Sequence, residues 1–357
     1  MSRRLAVLMF AAISPAFCGD WNPKLAEQYM DGRQEQWLAW PIAMNSGVPC
    51  VSCHTGLPYL MARPALRHAL GENEPTVYEG MLKASMRATV SRTDAKDLFS
   101  GLKGVIVDQV YGAQATLNAL VLALDDAPRG HLTPEAERSL KRMWSLQVRS
   151  GKDKGGWPWS DFDLDPWETA DSAYYGAALS ALATGIAPGG YQARPELREN
   201  IAEMTAYLRE GEKTTALHNR LFILWASSKL HNLLPAADKQ AILDEVWKKQ
   251  QPDGGWALDS LGPWKKREQA PPQTGSNSYA TALTAFTLEQ AGVKPSDAGL
   301  SRALAWLRSH QDASGKWPAE SMNHPHEAGS MPVLFMTDAA TGYATLALLG
   351  SEQHSTH

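Results

Sequence analysis

A turn built from Gln, Gly and Trp recurs three times in this chain, and it constrains the fold more than any other feature. The copies lie at residues 147–157 (QVRSGKDKGGW), 251–256 (QPDGGW) and 311–317 (QDASGKW). Each follows a segment with apolar residues at i, i+3 and i+4, and each precedes a second segment rich in Ala and Tyr. A charged amphipathic helix followed by a small-residue helix is typical of a hairpin whose second helix packs between neighbours. The recurrence therefore predicts a repeat of such hairpins.

The helical spacing of apolar residues also predicts where the two helices of each hairpin lie. The first, outer helices are predicted at residues 135–146, 239–249 and 300–310. The second, inner helices are predicted at residues 170–185, 277–292 and 337–350. Helical spacing without the turn adds a pair at 195–210 and 216–230, an inner helix at 110–126 and two less regular helices within 59–90. No segment alternates as a strand does, so we predict an all-α toroid of four clear helix pairs and up to two degenerate ones.

The turns resemble the QW motifs of the squalene-hopene and oxidosqualene cyclases. The helix pairs are similar to the prenyltransferase and squalene-oxidase repeat of the terpenoid cyclase superfamily, over residues 132–349. This resemblance implies an α/α toroid in which the Gln amides cap helix ends. It also implies that Trp157, Trp256 and Trp317 are structural.

The resemblance also bears on chemistry. Cyclases of that family carry a D-x-D-D-T-A motif whose middle Asp is the general acid. The matching residues 168–173 (ETADSA) have Ala170 where that acid stands, which leaves Glu168 and Asp171 as the catalytic candidates that the resemblance implies. Asp161, Asp163 and Asp165, in the aromatic and acidic loop at residues 157–168, are further candidates for that acid, and they also fit a role in capping and solubilising the start of the inner helix. Because Ala170 stands where the family's acid reaches inward, protonation-driven cyclisation is not expected.

Cys50 and Cys53 are three positions apart, and His54 follows directly. Two thiols at this spacing can add across the vinyl groups of a haem, and the following histidine is placed to be its proximal ligand. The alternatives are a thioredoxin-like redox pair, a structural disulfide and half a zinc site. The first lacks a βαβ context and the last lacks a second Cys/His pair. We predict covalently bound haem c, attached at Cys50 and Cys53, with His54 as the proximal ligand to iron.

The sixth iron position has several candidates. A helix that starts at the haem-binding histidine would hold Met61 and His68 on its own side of the haem. The sterically freer methionines are Met44, Met81 and Met86. We predict Met86 as the distal ligand; an open position instead would permit peroxide or O₂ chemistry.

The N-terminus predicts export. Residues 2–4 (SRR) form a positive region, residues 5–13 a short apolar core and residues 14–16 a small-residue cleavage site. We predict a signal peptide over residues 1–18 and a periplasmic protein. Cys18 raises the alternative of a lipoprotein anchor, which the bulky Phe17 disfavours.

Composition limits the partners. The chain has 357 residues and a formal net charge of -4, which gives no reason to expect nucleic acid. No transmembrane span is predicted after signal cleavage. The predicted domains are the signal peptide, a cytochrome c-like haem segment at 19–105 and the toroid at 106–357.

These features predict an exported c-type haem protein, an oxidoreductase or electron-transfer protein. Its toroid would bind an isoprenoid-like apolar molecule or a redox partner protein. The aromatic residues expected to line the lumen are Tyr174, Tyr175, Trp225, Tyr279, Phe286 and Tyr343. The alternatives are a terpenoid cyclase with an appended haem and a non-enzymatic electron carrier on a repeat scaffold.

Overall fold

The computed structural model describes residues 21–99 and 101–355 and is mostly helical. The outer helices are α1 (Pro23–Ala39), α3 (Val77–Ser91), α5 (Pro134–Ser145), α7 (Arg198–Gly211), α9 (Ala236–Lys248) and α11 (Ala298–Ser309). The inner helices are α2 (Gly56–Ala69), α4 (Val105–Asp126), α6 (Ser172–Ile186), α8 (Leu217–Ala226), α10 (Ser278–Gln290) and α12 (Phe335–Ser355). Short 3₁₀ helices occupy Pro41–Ala43, Ala95–Phe99, Ala127–Arg129, Tyr191–Ala193, Pro195–Leu197, Leu258–Leu261 and Met331–Leu334. A two-residue antiparallel pair joins β1 (Met44–Asn45) to β2 (Val48–Pro49). The predicted signal peptide lies outside the described residues.

The inner helices form a closed ring. Each contacts the next in the order α2, α4, α6, α8, α10 and α12, and α12 packs back against α2. The predicted all-α toroid is therefore confirmed. The described residues supply six hairpins where the sequence showed four clearly; the two added hairpins are α1–α2 and α3–α4. The first of these departs from the usual pattern, because α1 buries Glu27, Arg33 and Gln34 and α2 contains Pro64.

The recurring turn ties one hairpin to the next. Each indole N–H donates to a carbonyl in the last turn of its own outer helix: Trp157 to Met143 at 2.7 Å, Trp256 to Val246 at 2.9 Å and Trp317 to Leu307 at 2.7 Å. Each Gln amide donates to a carbonyl at or near the start of the following outer helix: Gln147 to Asn200 at 3.0 Å, Gln250 to Gly299 at 2.8 Å and Gln311 to Asn22 at 3.0 Å. In the second copy the bridging residue is Gln250 and not Gln251. The three tryptophans are buried and structural.

All six inner helices run in one direction because each follows an antiparallel outer helix. The segments before α2, α6, α10 and α12 therefore gather at one mouth of the ring. His54 packs there against Trp167 with ring centroids 5.7 Å apart, and Trp167 packs against Tyr279 at 5.3 Å. Residues distant in sequence thus meet at this mouth.

Two segments are long and apolar enough to cross a membrane by length and composition, Val105–Arg129 and Met331–Gln353. They contain the inner helices α4 and α12. The protein buries 56% and 72% of their most apolar windows, as is common for core helices.

Candidate functional site

His54 lies in the turn that leads into α2, and two neighbouring helices hold that turn. Ser52 Oγ accepts from the N–H groups of Thr55 and Gly56 at 3.0 Å each, which caps the helix start. On one side, the Trp37 indole of α1 donates to the Cys50 carbonyl at 3.0 Å. On the other, the Gln114 side chain of α4 bonds both the N–H and the carbonyl of Val51. The backbone that carries His54 is therefore held on both sides.

The His54 ring is buried among aromatic rings. Phe335 stacks on it with centroids 3.7 Å apart, and Trp37 meets it edge-on at 5.5 Å. Burial, with a smaller contribution from the positive charge of Arg33, lowers the pKa of His54 to about 3. The imidazole is therefore neutral across the physiological range.

Behind His54 lies a buried ion pair between the first and the last helix. Arg33 of α1 donates through Nε and Nη2 to the two oxygens of Asp338 of α12, at 2.8 and 2.9 Å. Tyr29 and Thr55 also donate to this carboxylate, each at 2.7 Å. The Thr55 hydroxyl lies 2.9 Å from His54 Nδ1. A continuous chain of hydrogen bonds therefore joins Arg33 to His54.

Glu168 faces the same space from the segment before α6. Its backbone pairs with Leu164 in a short antiparallel bridge, which fixes the chain without using the carboxyl group. Among the described residues no group hydrogen-bonds with that carboxyl group. Burial raises its pKa to about 7. Glu168 is therefore a weak acid that still holds its proton in much of the population near neutral pH.

Trp167 forms a wall of the site and is fixed from behind. Its indole N–H donates to Tyr279 Oη at 3.1 Å, and that hydroxyl bonds with His218 Nε2 at 2.8 Å. His218 Nδ1 lies 2.9 Å from the side-chain oxygen of Asn219. Burial lowers the pKa of His218 to about 4, so this chain is neutral and structural.

These groups line a cavity of about 170 Å³, bounded by His54, Leu164, Asp165, Trp167, Glu168, Ser321, Asn323, His326, Pro332, Phe335 and Met336. Ser321 and His326 also line a larger cavity of about 480 Å³ nearer the surface. The two cavities share these two wall residues, and we call them together the groove. We call the inner part the His54 pocket.

The two predicted haem thiols do not line the His54 pocket. Cys50 and Cys53 are both free, Cys50 half-buried and Cys53 buried. Cys50 faces a separate cavity of about 20 Å³, whereas Cys53 lies beside Tyr175 near the ring axis. Burial and the nearby Glu168 raise the pKa of Cys50 to about 12, so its thiol stays protonated. These thiols are poor nucleophiles in this environment.

The other predicted site residues lie in different places. Met86 is buried on α3 and lines the small cavity of Cys50, not the His54 pocket. Asp171 is exposed and precedes α6 without capping it through its side chain. The roles of Met86 as a distal ligand and of Asp171 as a catalytic group stay predictions.

The expected apolar cavity along the ring axis is filled by its own lining. Tyr175, Tyr279 and Tyr343 are almost completely buried. Tyr343 packs against Tyr279 and Phe286 at 6.2 and 5.8 Å, and Phe286 meets Trp225 at 4.9 Å. Tyr174 instead turns outward and donates to the Leu208 carbonyl of α7. The prediction of an isoprenoid-like ligand in this lumen is wrong, because the aromatic rings pack against one another.

Sequence reasoning missed most of the pocket. Thr55, Arg33 and Asp338, which lie behind the pocket, belong to no motif that the sequence analysis used. Met336, Asn323 and His326 belong to the turn and loop before α12, where no spacing marked them. Only their position along the chain could have indicated these residues, because the segment before each inner helix lies at the same mouth of the ring.

The sequence matches no protein-family model and no curated protein. Solved structures do match. A glycosidase variant described in complex with glucose is 12% identical, with 93% of this chain and 98% of that chain covered at a TM-score of 0.52. A family 88 glycosyl hydrolase from Bacteroides vulgatus is 13% identical, with 92% and 98% covered at 0.51. A possible GH105 member from Salmonella enterica is 11% identical, with 99% and 100% covered at 0.50. At these identities the likeness shows the toroid fold.

These matches correct the expected family and function. The resemblance to squalene-hopene cyclases is wrong, because the similar solved structures are named as glycosidases. The function built on it, a haem-dependent oxidoreductase or electron carrier with a cyclase alternative, is wrong as well. Within the described residues, no cluster of three or more His, Cys, Asp or Glu side chains could hold a metal ion. The physical reason is that helix-pair turns specify a ring, and a ring can carry unrelated chemistries.

Proposed function

We propose that this chain binds a saccharide in the groove and cleaves a glycosidic bond, with Glu168 as the general acid. The observation that carries the proposal is the raised pKa of Glu168, about 7, in a pocket that opens to the surface. A glycosidic bond breaks readily only when its leaving oxygen receives a proton, and hydrolases commonly supply it from a carboxyl group with a raised pKa.

The pocket wall suits a sugar. Trp167 and Phe335 provide flat apolar surfaces, and His326 provides a polar group at the edge, whereas the Asn323 amide holds the Asp165 backbone. The Asp165 carboxylate accepts from Arg267 Nη1 at 2.5 Å, so it is held as part of the wall. The glycosidase names of the similar structures support the same class of substrate.

The test is cleavage of a panel of oligosaccharides and aryl glycosides by the purified chain. We expect Glu168→Gln to lower kcat/KM by roughly 10²- to 10⁴-fold, the usual range for loss of a general acid. Asp161→Asn, which removes an exposed carboxylate from the same loop, is the matched control and should keep activity. Asp171→Asn tests the other predicted catalytic residue. Full activity in Glu168→Gln, or no binding or cleavage of any saccharide, would overturn the proposal.

Covalent haem c at Cys50 and Cys53 also stays a proposal, as a cofactor and not as the basis of a function. The donor atoms suit it, since both thiols are free and His54 has one ring nitrogen without a partner among the described residues. The available space does not suit a haem. The His54 pocket of about 170 Å³ is smaller than the roughly 300–1,000 Å³ usual for cofactor pockets, and the two thiols lie outside it. We therefore derive no step through haem.

Haem attachment and export are tested together. The full chain is produced with a cytochrome c maturation system, and cell fractions are run on denaturing gels. If the proposal holds, a haem-staining band appears in the periplasmic fraction and is lost in Cys50→Ser with Cys53→Ser. Periplasmic protein that never stains would contradict haem attachment alone, whereas protein found only in the cytoplasm would contradict export.

A further inference from the structure

We infer that Thr55 and Asp338 are positioning residues that hold His54 as the Nδ1–H tautomer, so that Nε2 accepts a hydrogen bond from a ligand hydroxyl in the His54 pocket. The use of this acceptor by a sugar rests on the proposed function. The tautomer itself follows from the hydrogen bonds alone.

The argument starts at Asp338, whose two oxygens are fully occupied. Oδ1 accepts from Arg33 Nε at 2.8 Å and from Tyr29 Oη at 2.7 Å. Oδ2 accepts from Arg33 Nη2 at 2.9 Å and from Thr55 Oγ1 at 2.7 Å. Burial raises the pKa of Asp338, but the bidentate guanidinium of Arg33 opposes that rise and favours the carboxylate, which can only accept. The Thr55 hydroxyl must therefore be the donor to Asp338.

Because the Thr55 hydroxyl donates to Asp338, the direction of its bond with His54 is also determined. A threonine hydroxyl has one hydrogen, so Thr55 Oγ1 can only accept from His54 Nδ1, 2.9 Å away. Nδ1 therefore carries the hydrogen of the neutral ring. The remaining nitrogen, Nε2, keeps a lone pair, and among the described residues it has no hydrogen-bond partner. His54 lines the pocket, so a ligand or water there can supply the donor that this acceptor lacks.

The position of His54 in the pocket indicates what Nε2 does. His54 lines the same pocket as Glu168, so one group accepts a hydrogen while the other donates a proton. Because the ring is buried beside Arg33, it acts as a neutral acceptor that orients a hydroxyl, either of the sugar or of the attacking water. Second-sphere groups that fix a histidine tautomer in this way are a recurrent device in functional sites.

The decisive experiment is nitrogen NMR of the full chain labelled with ¹⁵N-histidine, with the His54 signals assigned from their loss in His54→Gln. In the wild type we expect a protonated Nδ1 and an unprotonated Nε2. Thr55→Val, which removes the hydroxyl but keeps the shape, should mix the two tautomers, and Thr55→Ser should restore the first. Thr284→Val, which removes a buried hydroxyl without a hydrogen-bond partner on α10, is the matched control.

A second measurement separates this inference from the proposed function. For any saccharide that the wild type cleaves, Thr55→Val should raise KM by about 3- to 10-fold, the loss of one neutral hydrogen bond, and Thr55→Ser should reverse it. A wild-type His54 protonated at Nε2 would overturn the inference whatever the sugar data show. The expected tautomer with no saccharide binding would uphold the relay and overturn only the proposed function.

Discussion

Glu168 shows how one residue can join stability to function. The Glu168 side chain is half-buried, its carboxyl group has no hydrogen-bond partner among the described residues, and desolvation raises its pKa from an ordinary 4.5 to about 7. The folded state therefore binds this proton more tightly than the unfolded state does. Keeping such an acid protonated near neutrality makes it useful as a proton donor, but the same burial disfavours the ionised form.

The cost should be visible as a pH dependence of stability. Between pH 4.5 and about 7 the native state holds more protons than the unfolded state, so the contribution of Glu168 to the free energy of unfolding falls as pH rises. At ~1.4 kcal/mol per pKa unit the full effect is roughly 3 kcal/mol. We expect Glu168→Gln to gain stability relative to the wild type by about that amount between pH 4.5 and pH 8. Urea unfolding at several pH values measures it.

Glu320→Gln, which removes an exposed carboxyl group, controls for the loss of one negative charge. Other buried acids such as Glu289 are present in both proteins, so their effects cancel in the comparison. A wild-type-to-variant difference that is the same at every pH would show that Glu168 titrates at its ordinary pKa, and would remove the main support for its role as an acid.

At the scale of elements, the recurring turn depends on a glycine in a left-handed conformation. Gly155, Gly254 and Gly315 have φ of 94°, 98° and 91°. Each also touches the next outer helix or its N-terminal cap segment, and a Cβ on Gly315 would lie 2.1 Å from the Leu25 carbonyl oxygen of α1. Conformation and close approach therefore both require glycine, so the turn acts as a spacer that sets how near two hairpins can come.

Gly315→Ala and Gly292→Ala form a matched pair that separates these two effects. Gly292 has φ of 92°, but a Cβ there would meet nothing within 4 Å. Gly292→Ala should therefore cost only the backbone strain, about 1–2 kcal/mol. Gly315→Ala should cost roughly 2 kcal/mol more, because α1 must move away from the turn. The measurement is the urea midpoint at constant m-value, and equal losses would show that the contact with α1 is unimportant.

Most of the individual helices could be predicted from local sequence patterns. The predicted inner helix at 277–292 is observed as Ser278–Gln290, and the predicted outer helix at 300–310 as Ala298–Ser309. Both follow from local periodicity and from turn residues adjacent in the chain. The hairpin of α1 and α2 was harder to recognise, because its helices pair buried polar residues with each other, as Glu27 does with Arg63, and because Arg33 finds its partner on the last helix.

At the scale of the whole molecule, the ring closes without a covalent bond. The third copy of the turn makes the closure, since Gln311 accepts from the Asn22 N–H and donates to the Asn22 carbonyl. The ion pair of Arg33 with Asp338 joins the same two ends, 305 residues apart. The region that contains the predicted haem segment contributes α1, α2 and α3 to the ring. Closure and the His54 pocket arise from the same contacts.

The sequence by itself determined the helices, their pairing and the repeat, because these depend on spacing within some 50 residues of chain. It also marked His54 and Glu168, since each stands in a short motif. Only the tertiary structure decided that these two share a pocket, that Asp338 acts through Thr55, and that aromatic rings fill the axis. The physical reason is that a ring brings together residues from its first and last hairpins, and no local pattern records which side chains will face one another there.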